Sequence, residues 1–313
     1  MQKFKPTYLW AAVLLLTAAS CQKVLTQKGS TQDSLGSPST RPVPGKLDTI
    51  INPPADTSNP ILPPLPQTAP LGGCMVEPIY GDTIIFPQPA ANGQDFIINP
   101  VNNPGTGKFF AWPQGMTIDA NTGAIDLTKS ETGMQYLIGF VKDGTTDTCL
   151  QKLIVGGAAY MDSIYVLQSG GTKAVPYFNA DPYLLSQCNG SGPGSGCSFD
   201  VTGSAAAKKV SVNNSSGIID LQKTLNGGLL GGAFGLLPIS GSSITVDIYY
   251  KLNDASNNAL QHIAVQIEYY DSQSLLSGGL IGGIVNKVNN LLSGNIISNY
   301  ANPRPPLIII VRR

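Results

Sequence analysis

The 313 residues carry 19 Lys and Arg against 19 Asp and Glu, and charged residues make up only 12% of the chain, about half the usual share. Charge this sparse and balanced excludes a partner held by phosphate neutralisation, such as nucleic acid. With 35 Gly and 24 Pro, the composition favours short strands and many turns over long, salt-bridged helices.

Residues 1–20 read as a targeting segment that stays outside the fold. Lys3 and Lys5 supply a positive start, 8–19 (YLWAAVLLLTAA) is apolar, and Ala18, Ala19 and Ser20 are small. The apolar run falls short of the roughly 20 residues that span a bilayer.

The run Leu16-Thr17-Ala18-Ala19-Ser20-Cys21 resembles the lipobox of bacterial lipoproteins, with Ala18 where Leu is usual. The resemblance implies cleavage before Cys21, acylation of that cysteine and stable attachment to the bacterial outer membrane. Removal of Lys3 and Lys5 with no acid changes 19 − 19 to 17 − 19, a net charge of −2. Surface display in Bacteroidota-type lipoproteins follows an acidic stretch after the lipidated cysteine. Gln22-Lys23-Val24-Leu25 is not acidic, so either face of the membrane stays open.

Residues 21–72 hold ten of the prolines, from Pro38 to Pro70, with few large apolar groups. Such a stretch cannot bury enough surface to fold and is expected to be a disordered, partly polyproline tether. With Cys21 lipidated, Cys74, Cys149, Cys188 and Cys197 remain. Four cysteines in an oxidising compartment suggest two disulfides, with three pairings open. Cys188–Cys197, closing an NGSGPGSG loop, and Cys74–Cys149 are the favoured pair. No CxxC spacing exists and the single histidine is distant, so no metal or other cofactor is expected.

Beyond the tether the chain repeats itself. Residues 116–129 (MTIDANTGAIDLTK) and 210–223 (VSVNNSSGIIDLQK) share Gly123/Gly217, Ile125/Ile219, Asp126/Asp220, Leu127/Leu221 and Lys129/Lys223, an offset of 94. Residues 150–155 match 260–265 at an offset of 110. The difference, 110 − 94, places a sixteen-residue insertion in the second copy, assigned to 226–241 (NGGLLGGAFGLLPISG). Each matched block reads as strand, turn and strand. Ile244, Val246, Ile248, Tyr250 and Leu252 alternate with polar positions, as Tyr136, Ile138 and Phe140 do in the first copy. This predicts one buried and one wet face.

Pro113-Gln114-Gly115-Met116-Thr117-Ile118-Asp119 through Thr122-Gly123-Ala124-Ile125 resembles the P-x-G-L-x-I-D…T-G-x-I hairpin of bacterial cadherin-like and Ig-like repeats. Gly133, Tyr136, Val141, Asp143 and Gly144 match the strand and turn that follow in that family. The resemblance covers much of 76–155 and, more loosely, 160–270. It implies an all-β chain of two tandem Ig-like β-sandwiches, 73–157 and 158–313, and no function of its own. Cadherins bind calcium through acidic clusters between domains, and the sequence has no such cluster.

The tail, 274–306, forms a second extension. Its SGGLIGG repeats the GGLLGG of 227–232. Ile281, Ile284, Val285, Val288, Leu291 and Leu292 then fall at helical spacing, predicting a short amphipathic helix ended by Gly294. Leu307 to Val311 (LIIIV) should be a closing strand of the second sandwich.

Convergent titratable groups are scarce. His262 shares a strand face with Gln266 and Glu268 and has no nucleophile nearby. Asp143-Gly144-Thr145-Thr146-Asp147 reads as a tight turn before a calcium loop. Asp126 and Asp220, repeated, suggest a structural role, and 227–232 lacks the Lys-Ser/Thr of a phosphate loop. Aromatic clusters stand at Phe109, Phe110 and Trp112 and at Tyr177, Phe178 and Tyr183, where core packing is the first reading. The candidate binding residues are Leu229, Leu230, Leu236, Leu237, Leu280, Ile281 and Trp112. The two Gly/Leu segments are expected to pack on each other and leave apolar surface for a partner. The resulting expectation is a non-enzymatic envelope lipoprotein that binds protein or glycan. A purely structural lipoprotein, or an accessory in polysaccharide uptake, is the alternative.

Overall fold

The structure, a computed structural model, describes residues 77–145, 148–184, 186–188, 196–231, 237–292 and 305–313. The targeting segment, Cys21, the Pro-rich tether, Cys74, Asp147, Leu236 and Gly294 lie outside the described residues. All described residues belong to one unit, Arg41–Arg313, and it is mostly β-strand with few helices.

The first module has seven strands: β1 (Ile84–Ile85), β2 (Ile97–Ile98), β3 (Gly107–Trp112), β4 (Thr117–Ile118), β5 (Ile125–Asp126), β6 (Met134–Lys142) and β7 (Thr148–Val155). They form a four-stranded sheet, β1-β7-β6-β3, facing a three-stranded one, β2-β5-β4. Tyr136, Ile138, Leu153 and Val155 from the larger sheet bury against Ile125 and Leu127 below the smaller. Alternation holds on that face, but Leu137, opposite in the pleat, is also only 1% exposed. Strand β6 is therefore buried on both faces, against the one wet face predicted for it.

In the second module the strands are β8 (Ala158–Tyr160), β9 (Ser163–Val166), β10 (Lys173–Ala174), β11 (Pro176–Phe178), β12 (Ser198–Phe199), β13 (Ile219–Asp220), β14 (Ser242–Lys251), β15 (Gln261–Tyr270) and β16 (Leu307–Val311). Helices α1 (Ser204–Ala207), α2 (Leu221–Asn226) and α3 (Gly278–Leu292) interrupt them. A five-stranded sheet, β12-β14-β15-β16-β9, is accompanied by the two-stranded ladders β10-β13 and β8-β11. Val246, Ile248, Tyr250, Ile263, Val265, Ile267 and Tyr269 are fully buried on its inner face, as the period of two predicts.

The repeat is reproduced atom by atom. Asp119 Oδ1 accepts hydrogen bonds from the amides of Asn121 and Thr122, and Asn213 Oδ1 accepts from those of Ser215 and Ser216. Each turn ends in a left-handed glycine, Gly123 (φ +71°) or Gly217 (φ +72°). A Cβ on Gly123 would stand 2.7 Å from the Phe109 ring, and one on Gly217 2.6 Å from the Phe199 ring. Only glycine combines that backbone with that approach. Tyr80 and Tyr160 then donate their hydroxyls to the carbonyls of Gly123 and Gly217. The ring pairs Phe109–Phe140 and Phe199–Tyr250, with centroids 4.8 and 5.2 Å apart, complete the correspondence.

These equivalences show what the second copy adds. In the first module β1 pairs directly with β7, in parallel, Ile84 against Ile154. In the second, β16 stands between their counterparts, parallel to β15 on one side and to β9 on the other. Ile308, Ile309, Ile310 and Val311 are consequently 0% exposed. The closing strand predicted for the tail is present, but as an interior strand.

The modules meet along a polar seam. Thr132 Oγ1 shares a short hydrogen bond with the Tyr250 hydroxyl and donates to the His262 carbonyl at 3.1 Å, while within the second module the same Tyr250 hydroxyl accepts from the Ala158 amide at 2.7 Å. The Ala180 amide donates to the Gly133 carbonyl. Gln88 Nε2 donates to the Ala255 carbonyl, and Asn257 Nδ2 to Gln88 Oε1. Met134 packs against both cores.

Candidate functional site

The insertion begins inside α2. Asp220 caps that helix, its Oδ1 accepting from the Lys223 amide at 2.8 Å. Its counterpart Asp126 accepts from the amides of Thr128 and Lys129 and pairs with Lys129 Nζ at 2.7 Å. Both carboxylates thus hold backbone, which is cap chemistry. After α2 the chain turns through Leu229, 2% exposed in the core, and Leu230, left-handed at φ 57° and packed on that core. A bridge between Gly231 and Pro238 closes the base of the insertion. Leu237 and Ile239 then stand 68% and 55% exposed, just before β14.

The extension behaves differently. Ser277 Oγ accepts from the Leu280 amide and caps α3. Ile281, Ile284 and Val288 are buried on one stripe, with Leu280 and Val285 packed beside them. On the same helix Lys287 Nζ pairs with Asp162 Oδ1 at 3.2 Å, with side chains 9% and 18% exposed. That oxygen also accepts from the Leu307 amide, so Asp162 ties α3 and β16 to the turn before β9. Both Gly/Leu segments join the second module's core. Of the seven candidate residues, Leu229 and Ile281 are core and Leu230 and Leu280 are half-buried. Leu236 lies outside the described residues, and Leu237 is exposed.

Trp112 ends β3 half-buried, opposite Leu137, with a cis bond to Pro113. Phe109, Tyr177 and Phe178 are buried, and Tyr183 is half-buried. The Asp143–Gly144 segment is a tight turn, with the Thr145 amide donating to the Lys142 carbonyl and Gly144 at φ +79°. Cys188 and Cys197 form a disulfide. Cys149 is also disulfide-bonded, and the Cys74 expected as its partner lies outside the described residues. Among the described residues no group of three or more His, Cys, Asp or Glu could hold a metal ion. No described helix is long and apolar enough to cross a membrane.

His262 is on the outer face of β15, half-buried and stacked on Tyr249 across the strand pair, with ring centroids 5.5 Å apart. The sequence placed His262, Gln266 and Glu268 on one face correctly. It missed Tyr249 as a partner, because the cross-strand register depends on a turn whose length the repeat does not fix.

No known family profile matches the chain, and no curated protein matches it in sequence. Solved structures similar to it include human protocadherin-24 EC1-2, at 8% identity over 63% of this chain and 99% of that one, with a TM-score of 0.20. A SusE-like surface-located polysaccharide-binding protein from the Bacteroides thetaiotaomicron heparin utilisation locus is 14% identical over 61% of this chain, with a TM-score of 0.22. This chain covers 34% of it. Drosophila N-cadherin EC1-4 gives 11% identity, 50% and 40% coverage, and a TM-score of 0.18. Superpositions this loose leave the fold resting on its own strand pairing.

Proposed function

We propose that the chain is a non-catalytic interaction module of the bacterial cell envelope, held at the outer membrane by lipid on Cys21 and presented on its Pro-rich tether. The observation that carries the binding reading is the exposed pair at the closing base of the insertion, on either side of Pro238. Leu237 and Ile239 are 68% and 55% exposed on a segment that the first module folds without. Apolar side chains kept in water on an addition to a complete scaffold are where a partner is met. Each would gain roughly 1.5–3 kcal/mol on full burial. The partner is a protein or a glycan of the envelope.

Two measurements test this. Cys21→Ser should move the protein from the membrane fraction to the soluble one, and unchanged fractionation removes the anchor from the proposal. A photo-crosslinking residue at position 237 should form a defined adduct in living cells that Ile239→Asp abolishes. An adduct pattern indifferent to Ile239→Asp would remove residues 237–239 as a binding surface.

A further inference from the structure

The outer face of the β14–β15 ribbon carries side chains that neither core uses. Its cross-strand pairs are Tyr249 with His262, Asp247 with Ala264, Thr245 with Gln266 and Ser243 with Glu268. All eight are half-buried or exposed, while the alternate residues beneath are buried, except the half-buried Ile244 and Ser242 near the strand's start. At one end the Tyr249 and His262 rings stack with an interplanar angle of 28°. Toward the other end, Gln266 Nε2 donates to Glu268 Oε1 at 2.9 Å and the Tyr270 hydroxyl reaches Glu268 Oε2 at 3.3 Å. The carboxylate is thereby held in one orientation by side chains of its own face.

We propose that this face binds a neutral polysaccharide, lying along the ribbon from the Tyr249–His262 pair to Glu268. A pyranose ring has an apolar C–H face that stacks on an aromatic ring and a rim of hydroxyls that bonds carboxylates and amides. The ribbon presents both, in that order. Alternate residues on one strand face stand roughly 7 Å apart, so the run from Tyr249 to Ser243 is long enough to meet several sugars of one chain. Ala264 leaves the room beside the rings that a stacked sugar needs. Charge complementarity selects a neutral chain. The face carries the Asp247 and Glu268 carboxylates, and equal in number are two ammonium groups, that of Lys251, two residues beyond Tyr249 at the end of β14, and that of Lys208, whose Nζ donates to the Thr245 carbonyl at 2.8 Å. A face without net field neither gathers nor repels a polyelectrolyte. The proposal rests on the reading of the chain as a binding module, and places the glycan on a surface other than residues 237–239.

The test is affinity electrophoresis of the full chain, solubilised in detergent, through gels containing a neutral glucan, mannan or xylan, with alginate as the polyanion. At least one neutral polysaccharide should retard the protein. Tyr249→Ala should weaken that retardation about tenfold, the loss of one stacking contact, and Tyr249→Phe should keep it. Ala264→Arg blocks the face without touching the core and should abolish retardation with the thermal midpoint unchanged, which covers misfolding of Tyr249→Ala. Retardation by alginate alone, by no polysaccharide, or equally for Ala264→Arg and the parent overturns the proposal. Cross-linking from position 237 in the same preparation reports separately on the binding-module reading, so a glycan failure with the adduct retained sinks this face only.

Discussion

At Gly217 a left-handed backbone and the ring of Phe199 act together, and the Tyr160 hydroxyl fastens the carbonyl of the same residue. Gly217→Ala should destabilise the protein by on the order of 2–3 kcal/mol, read as a lower denaturant midpoint at unchanged slope. The buried tyrosines make a second test. Burial pushes the Tyr80 and Tyr160 hydroxyls well above the ordinary tyrosine value. Burial, with a hydrogen bond to Asp271, pushes Tyr269 up to about 12. A folded-state pKa raised above the unfolded value contributes stability that is complete below the unfolded value, near 10.0, and is lost as pH rises through the folded one. Phenolate absorbance should therefore lag behind the unfolded chain above pH 10, and unfolding should accompany the rise of the last tyrosines. Titration of all tyrosines near their ordinary value in a folded protein would contradict this. Gly217 and Asp220 were legible in the sequence because their geometry tolerates few replacements. Tyr160 was not, because it follows Tyr80 at an offset of 80 while the matched hairpins sit at 94. Intervening loops change the spacing without changing the contact.

Among the elements, α3 shows how an apolar periodicity becomes a fixed position. Its spacing predicted the buried stripe, but the pairing of Lys287 with Asp162 joins residues 125 positions apart, 287 − 162, which no local pattern announces. Lys287→Ala leaves the Asp162 carboxylate without that cation in a mostly buried place, and should cost about 3 kcal/mol. Lys287→Ala combined with Asp162→Asn, which keeps an acceptor for the Leu307 amide, should cost less. Urea melts of the two variants and the parent would decide, and a double variant as unstable as the single would count against the account. The edge of β14 that its short partner β12 leaves uncovered illustrates another device. The Val201 amide, Ser204 Oγ and Lys208 Nζ donate to the carbonyls of Tyr249, Asp247 and Thr245. These carbonyls, which a second chain could otherwise pair with, are occupied by α1 and its flanks. In the insertion, NGGLLGGAFGLLPISG gave no period from which to tell that Leu229 turns inward and Leu237 outward. Glycine-rich backbone leaves burial to be set by what lies beneath.

For the molecule as a whole, the seam decides whether two modules behave as one. Thr132 and Tyr250 bond across it, and Gly157, at φ +140°, would set a Cβ 2.6 Å from the Tyr250 hydroxyl. Calorimetry should show a single transition for the parent. Gly157→Ala should split it in two by breaking the seam while sparing both cores, and one undivided transition in that variant would mean the seam does not couple them. The tandem plan could be read from the repeat, whereas the seam could not, because its members come from unrelated positions. The interior place of β16 has a consequence in time. The first sheet closes across 154 − 84, or 70, residues, but Val166 must wait for Val311, 145 residues later. As the chain is synthesised, the leading module can finish while β9 and β15 still lack the strand between them. Contacts this distant form slowly, so for an interval the trailing half exposes two unpaired strand edges, and it is then that a chaperone or a protease would find it.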